Sequence, residues 1–213
     1  MYKSIKTDIV TSFNKEDVQV RNYAPNINGL VLGLIPEERI LEVFYEGLKI
    51  IETLGGRYWI SAGTALGIWR DQKFIPHDTD IDVEVYGRWG KNTREFEVQL
   101  QTHFHDYGFI LKRVQRYKGK LQQLAYVKND VIFDIYFFYD GTGQNDLINF
   151  NEYGIYKFKK TFLPQGETDT IYGPLMMPHE TDEYLAWRYG PDWRTPKDNK
   201  AGWSDDCACL EKL

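Results

Sequence analysis

The sequence predicts an α+β fold, and three observations predict it. Leu41, Phe44, Leu48 and Ile51 recur at spacings of three and four, the pattern of an amphipathic helix. Acidic residues alternate with Ile81, Val83 and Val85, and a period of two belongs to a strand with one buried apolar face. Residues 131–138 are apolar on both faces except for Asp134, which marks a central strand.

The elements follow in order. Residues 1–35 are poorly periodic and read as an irregular lead with a strand near 30–34. Pro36 with Glu37 and Glu38 signals a helix start, and Gly55-Gly56 ends that helix. Residues 58–62 read as a short buried strand that delivers the chain to Gly63-Thr64, where a short helix opens. A loop turned by Pro76 leads into the acidic strand. Gly87 and Gly90 turn the chain, and Asn92 with Glu95 loosely matches a capping box. Phe96, Leu100 and Phe104 place a second amphipathic helix there, ended by Gly108. Residues 109–118 and 120–128 form two strands around Gly119, and Asn129-Asp130 turns into the central strand, which Asp140-Gly141 and Gly143 end. A turn-rich stretch runs to a helix at 181–189, closed by Gly190-Pro191. The main domain spans 36–196, and 197–213 reads as a polar tail.

Composition bounds the function. A chain of 213 residues with 42% hydrophobic and 15% aromatic content builds one domain with a real core. A net charge of −5 argues against a general nucleic-acid binder, so no nucleic-acid partner is expected. Cys207 and Cys209 are too few and too close for a disulfide framework, and with His179 they lack a zinc-site spacing. The start carries no apolar leader, and no run of ~18 apolar residues predicts a transmembrane segment. The expected location is cytoplasmic, with peripheral contact at a membrane left open.

The acidic strand carries the chemistry. Residues two apart on a strand point the same way at ~7 Å, so Asp80 and Asp82 share a face, with Asp78 a candidate extension of it. Such a face is ordinarily solvated. Its other use is to hold a hard divalent cation, which removes the repulsion between the carboxylates. A calcium loop of the EF-hand kind is excluded, since counting from Asp78 puts Val83 at the glycine position and Trp89 at the final glutamate position. Asp134 is costly to bury unless paired or metal-bound. Beside Asp80 and Asp82 on a neighbouring strand it would complete a three-carboxylate site for displacement at phosphorus. Gly63 and Thr64 open a helix whose free N–H groups suit phosphate, and Arg70 and Lys73 lie between the two motifs with charge to offset it. His103 and His105, two apart on a helix, do not share a face. Trp187, Tyr189 and Trp193 read as core or pocket wall, with stacking on a base or sugar as the alternative.

The order of strand, Gly-Thr helix, Asp-x-Asp strand and later Asp strand matches a nucleotidyltransferase-like fold, a mixed β-sheet flanked by helices. The stretch Gly63-Thr-Ala-Leu-Gly67-Ile-Trp-Arg70-Asp-Gln-Lys-Phe-Ile-Pro76-His-Asp78-Thr-Asp80-Ile-Asp82 closely resembles the signature of the LicD family of phosphocholine transferase-like, fukutin-related proteins. Glu183-Tyr184-Leu185, Tyr189-Gly190, Asp192-Trp193 and Pro196 resemble its closing pattern, so the likeness spans about residues 40–196. His77 stands where the family often has Trp, and Thr79 where it often has Asp. The resemblance implies a metal-dependent phosphotransferase that moves a phospho-alcohol or phospho-polyol from a CDP-activated donor to a glycan hydroxyl. The glycan is lipid-linked in one form of that reading. Asp80, Asp82 and Asp134 would hold Mg²⁺ or Mn²⁺, with Asp134 either a ligand or the base. Gly63 and Thr64 would cradle donor phosphates, and Arg70 would partner them.

Three other functions compete. A nucleotidyltransferase would move an NMP onto a small molecule or protein. A glycosyltransferase with an Asp-x-Asp metal site usually needs a nucleotide-binding half of ~100 residues first, whereas 77 residues precede Asp78 here. A nucleotide-binding regulator would have no need of all three carboxylates.

Overall fold

A computed structural model describes residues 18–24, 26, 29–86, 93–117, 119–140, 147–151, 154–158, 162–197 and 210–212. Its centre is a mixed sheet of β1 (Val18–Asn22), β2 (Tyr58–Ile60), β3 (Asp80–Tyr86), β4 (Ile110–Tyr117), β5 (Lys120–Lys128) and β6 (Val131–Asp140), in the order β1-β4-β5-β6-β3-β2. Every pairing is antiparallel except β3 with β6, which is parallel. The end of β6 pairs onward with β7 (Leu147–Asn151), followed by β8 (Gly154–Phe158) and β11 (Leu210–Lys212). A hairpin of β9 (Thr168–Thr170) and β10 (Gly173–Leu175) stands apart.

The two faces of the central sheet differ because the strands alternate. Ile81, Val83, Val85, Leu124, Tyr126, Phe133, Ile135 and Phe137 fill one face and are essentially inaccessible. Helix α1 (Glu37–Thr53) lays Ile40, Val43, Phe44, Leu48 and Ile51 into the same core. It approaches β6 so closely that a Cβ on Gly47 would meet the Phe133 ring at 2.5 Å. Helix α3 (Thr93–Asp106) adds Phe96, Leu100 and Phe104, and the Phe104 ring stacks on Tyr126 at 4.3 Å. Gly55 and Gly108, at φ +75° and +81°, end the two helices in the left-handed region that glycine enters without strain.

The opposite face carries the polar residues, and it is not solvated. Asp82 and Glu84 on β3 and Asp134 on β6 are all buried. The chain that follows β10 closes over one end of this face. Met176 accepts a backbone hydrogen bond from Ile60 on the outer edge of β2, and helix α4 (Thr181–Tyr189) buries Tyr184 and Leu185.

Several expectations are corrected. The lead is not wholly irregular, since β1 pairs with β4, where edge N–H and C=O groups were open to a partner. Residues 30–34 form no strand. Leu32–Leu34 make one 3₁₀ turn, and this segment bonds to loops instead: Leu30 N–H to Asp130 C=O, Leu32 N–H to Asp78 C=O and Gly33 N–H to Pro76 C=O. The turn-rich stretch holds β7 to β10, and Leu210–Lys212, read as polar tail, pairs with β8. The turn at Gly87, Gly90 and Asn92, the turn at Gly141 and Gly143, and both cysteines lie outside the described residues.

Candidate active site

Two rows of residues cross the polar face. Asp82 lies directly opposite Asp134 in the parallel β3–β6 register, Asp134 lies opposite Ala125, and Ala125 lies opposite Arg113. In the next row Trp59, Glu84, Tyr136, Gln123 and Gln115 stand in the same sequence of strands. The structure thus brings the three predicted carboxylates together. Among the described residues, oxygens of Asp78, Asp80 and Asp82 lie within 4.8 Å of one another, so Asp78 in the preceding loop joins the group.

Local chemistry fixes each member. The backbone of Asp82 is gripped on both sides: its N–H donates to Thr64 Oγ1 at 2.8 Å, and its carbonyl accepts from Ser61 N–H at 3.2 Å. Asp78 Oδ1 accepts the N–H of Thr79 at 3.0 Å. Asp134 Oδ2 accepts from Gln123 Nε2 at 2.7 Å and from the Tyr136 hydroxyl at 3.2 Å. Its Oδ1 is buried with no partner, and a buried acceptor left unmade is costly.

Crowding and burial raise the affinity of these groups for protons. Burial, and then the Asp78 charge, push Asp80 up to about 7. Burial, and then the Asp80 charge, push Asp134 up to about 7, against a downward pull from Arg113. Asp82 is driven well above the ordinary carboxylate range by burial and then by Asp80, Asp78 and Asp134. Glu84, two residues further along β3, is also buried but differs in kind. It accepts from Trp59 Nε1 at 2.5 Å and pairs with Arg188 at 3.1 Å, so its charge is already matched. Among the described residues Asp78, Asp80 and Asp82 form no ion pair, and Arg113 and Arg188 pull on Asp80 and Asp82 only weakly against burial and mutual repulsion. That donor set, all carboxylate oxygens with an open buried Oδ1 on Asp134 nearby, fits a hard divalent cation such as Mg²⁺ or Mn²⁺.

The remaining candidates fall out unequally. Gly63 also makes room for a neighbour: a Cβ there would come within 2.2 Å of Asp78 Oδ2. Ala62, just before it, sits at φ +45°, and its N–H donates to the Tyr184 hydroxyl at 3.1 Å. Helix α2 (Ala62–Leu66) therefore begins one residue before Gly63, from a strained residue held by α4. Thr64 is buried and serves to hold Asp82.

Arg70 is not aimed at the carboxylates. Its Nε and Nη2 fork onto Asp71 at 2.8 and 2.7 Å and its Nη1 donates to the Trp193 carbonyl at 3.3 Å, so its charge is spent tying residues 67–71 to the C-terminal segment. Lys73 is exposed. Trp193 is core, and Trp187 packs on Phe162 at 5.3 Å. His103 contacts its own helix at Gln99. Three site residues escaped the sequence reading: Asp78 as a full member, Arg113, whose Nη2 stands 3.7 Å from Asp134 Oδ2, and Arg188. Asp78 was signalled by the alternation itself. Arg113 and Arg188 depend on long-range placement and left no local signal.

A mixed sheet with a carboxylate pair in register on parallel strands, preceded by a Gly-Thr helix and flanked by helices, is the arrangement of a nucleotidyltransferase-like fold. Residues 55–178 match the family model described as LicD/FKTN/FKRP, nucleotidyltransferase domain. The chain belongs to this family. It is 28% identical over 158 residues to ribitol-5-phosphate transferase FKTN of Homo sapiens and of Macaca fascicularis, covering 73% of this chain and 33% of each relative. The Mus musculus protein of that name is 27% identical over 172 residues. The chain thus spans about one third of the length of these relatives. Among solved structures it is similar to the antibiotic-resistance factor ANT(2'')-Ia in solution, at 14% identity and a TM-score of 0.45 over 77% of this chain and 78% of that one. Among the described residues no helix is long and apolar enough to cross a membrane.

Proposed function

We propose that this chain is a phosphotransferase that moves a phospho-alcohol or phospho-polyol from a CDP-activated donor to a glycan hydroxyl. The observation that carries the reading is the group of Asp80, Asp82 and Asp134, with Asp78 beside them, in which Asp82 and Asp134 stand in register and whose one ion-pair contact among the described residues is with Arg113, 3.7 Å from Asp134. Family membership and the ribitol-5-phosphate transferase relatives support the substrate class.

Asp80 and Asp82, with Asp78, would hold Mg²⁺ or Mn²⁺. Bound there, the ion supplies charge neutralisation at the donor's phosphate oxygens. Thr64 and Ser61 keep Asp82 in place, so the site is organised before substrate arrives. The acceptor hydroxyl oxygen forms the new bond to phosphorus as the bond to the CMP oxygen breaks, and CMP leaves. Asp134 Oδ1, the open carboxylate atom, takes the hydroxyl proton or joins the ligand set. The backbone at Gly63 lies beside Asp78 and, with that of Thr64, would face the donor phosphates.

A melting panel of CDP-ribitol, CDP-glycerol and CDP-choline with and without Mg²⁺ tests this, with CMP release as the second readout. A ligand at about 100 times its dissociation constant adds about 2.7 kcal/mol, roughly 5–10 °C for a chain of this size. A metal-dependent shift with a CDP compound, lost in Asp82→Ala, is expected. Pyrophosphate release from CTP or ATP in place of CMP release would select NMP transfer instead. Asp134→Asn then separates its two roles, since a base loses turnover with metal affinity intact, whereas a ligand loses both.

A further inference from the structure

We propose that Arg113 of β4 is the residue that binds the donor's phosphate, a role the sequence reading gave to Arg70. This rests on the phosphotransfer reading above. Besides Glu84, which Arg188 matches, Asp78, Asp80, Asp82 and Asp134 carry more negative charge than one divalent ion neutralises, so a substrate bearing a diphosphate needs a further cation. The described cations sort by what already engages them. Arg70 is forked onto Asp71, and Arg188 is matched to buried Glu84. Arg113 alone among the described cations has a long contact to the active carboxylates, 3.7 Å from Nη2 to Asp134 Oδ2. Its Nε is buried with no acceptor.

The register explains how it gets there. Arg113 and Asp134 stand in one row with only Ala125 between them. The methyl of Ala125 is too short to block the guanidinium from crossing β5, and a longer side chain at this position would fill the gap. The Arg113 side chain keeps 34% of its surface exposed, so one edge rests against Asp134 while the rest opens outward. Two positions along β4 on the same face, Gln115 is 5% exposed and its Nε2 also lacks an acceptor. The Arg113 Nε, without an acceptor beside Asp134, and the Gln115 amide further along the same face of β4 offer donors to an acceptor-rich anion. A guanidinium offers phosphate a planar fork that an ammonium does not.

The test is binding of CDP, cytidine and Mn²⁺ separately to wild type, Arg113→Gln and Arg113→Lys, with circular dichroism confirming the fold. Expected is a loss of tenfold or more in CDP affinity with Mn²⁺ present in Arg113→Gln, an intermediate loss in Arg113→Lys, and unchanged cytidine affinity. Mn²⁺ alone should bind at least as tightly, because a positive charge beside its carboxylates has gone. Wild-type CDP affinity in Arg113→Gln overturns the inference. A parallel loss of Mn²⁺ and CDP affinity also overturns it, since that marks a structural role. Wild type that fails to bind CDP with Mn²⁺ brings down the phosphotransfer reading itself and this inference with it.

Discussion

Asp80 is more useful to this protein than it is comfortable. Its carboxyl is raised to about 7 by burial and by Asp78, so at pH 8 the metal-free chain bears a charge that its surroundings resist. Asp80→Asn removes that charge without changing the shape. Its metal-free stability is expected to rise by about 1–3 kcal/mol at pH 8 and by a smaller amount at pH 5, where the folded carboxyl holds its proton but the unfolded one has largely lost it. Turnover and the stabilising response to Mg²⁺ should be lost, and urea melts at the two pH values with and without Mg²⁺ check all of it. Gly63 works by what it lacks. Gly63→Ala drives a methyl into the Asp78 carboxylate. It is expected to cost about 1–3 kcal/mol by overpacking and to weaken Mn²⁺ binding about 10- to 100-fold, read by calorimetry. The sequence made Asp80 and Asp82 legible because a period of two is a local property. It could not show that Gly63 makes room for Asp78, because that contact joins a helix start to a loop fifteen residues later.

At the scale of elements, α4 is the clamp on the polar face. Arg188 reaches Glu84 from above, Trp59 reaches it from β2, and the Tyr184 hydroxyl holds the strained start of α2. Removing one partner of a buried ion pair leaves the other charge stranded and costs about 3–5 kcal/mol. Arg188→Met is therefore expected to destabilise by that amount in denaturant melts, and Glu84→Gln combined with it should recover part of the loss. The helix itself was readable from its boundaries, Thr181 through Gly190. Its partner was not, because an Arg in the last turn of a helix is ordinarily a surface residue. The same holds for the β3–β6 pairing. Each strand was visible alone, through its alternation or its unbroken apolar run, but the parallel register that sets Asp82 opposite Asp134 is a contact across some fifty residues of intervening chain. The β1 strand left a faint pattern and was missed, as a five-residue edge strand with four exposed positions has little apolar periodicity to show.

At the scale of the whole molecule, the carboxylate group ties stability to pH and, on the function proposed above, to metal. Asp80 and Asp134 are raised from 3.8 to about 7 in the folded state. A group raised on folding contributes stability below its unfolded value and loses it as pH rises through the folded one. The metal-free protein is thus expected to be most stable, from these groups, near pH 4 and to weaken steadily up to pH 8. Metal affinity runs the other way, since protons compete for the same oxygens. Mg²⁺ should leave the melting temperature nearly unchanged at pH 5 and raise it by several degrees at pH 8, which a thermal-melt grid of pH against Mg²⁺ reads directly.

The short 3₁₀ turn has a practical bearing on where this catalytic unit can be cut. Leu32 and Gly33 hold the carbonyls of Asp78 and Pro76 at 2.8 Å each, and Leu32 is buried behind them. The loop that presents Asp78 is thus braced by chain more than forty residues upstream, outside the 55–178 span that defines the family. A version trimmed to begin at Pro36 would keep Asp78, Asp80, Asp82 and Asp134 and still lose the brace behind the first of them. The smallest piece that keeps this brace starts before Leu32.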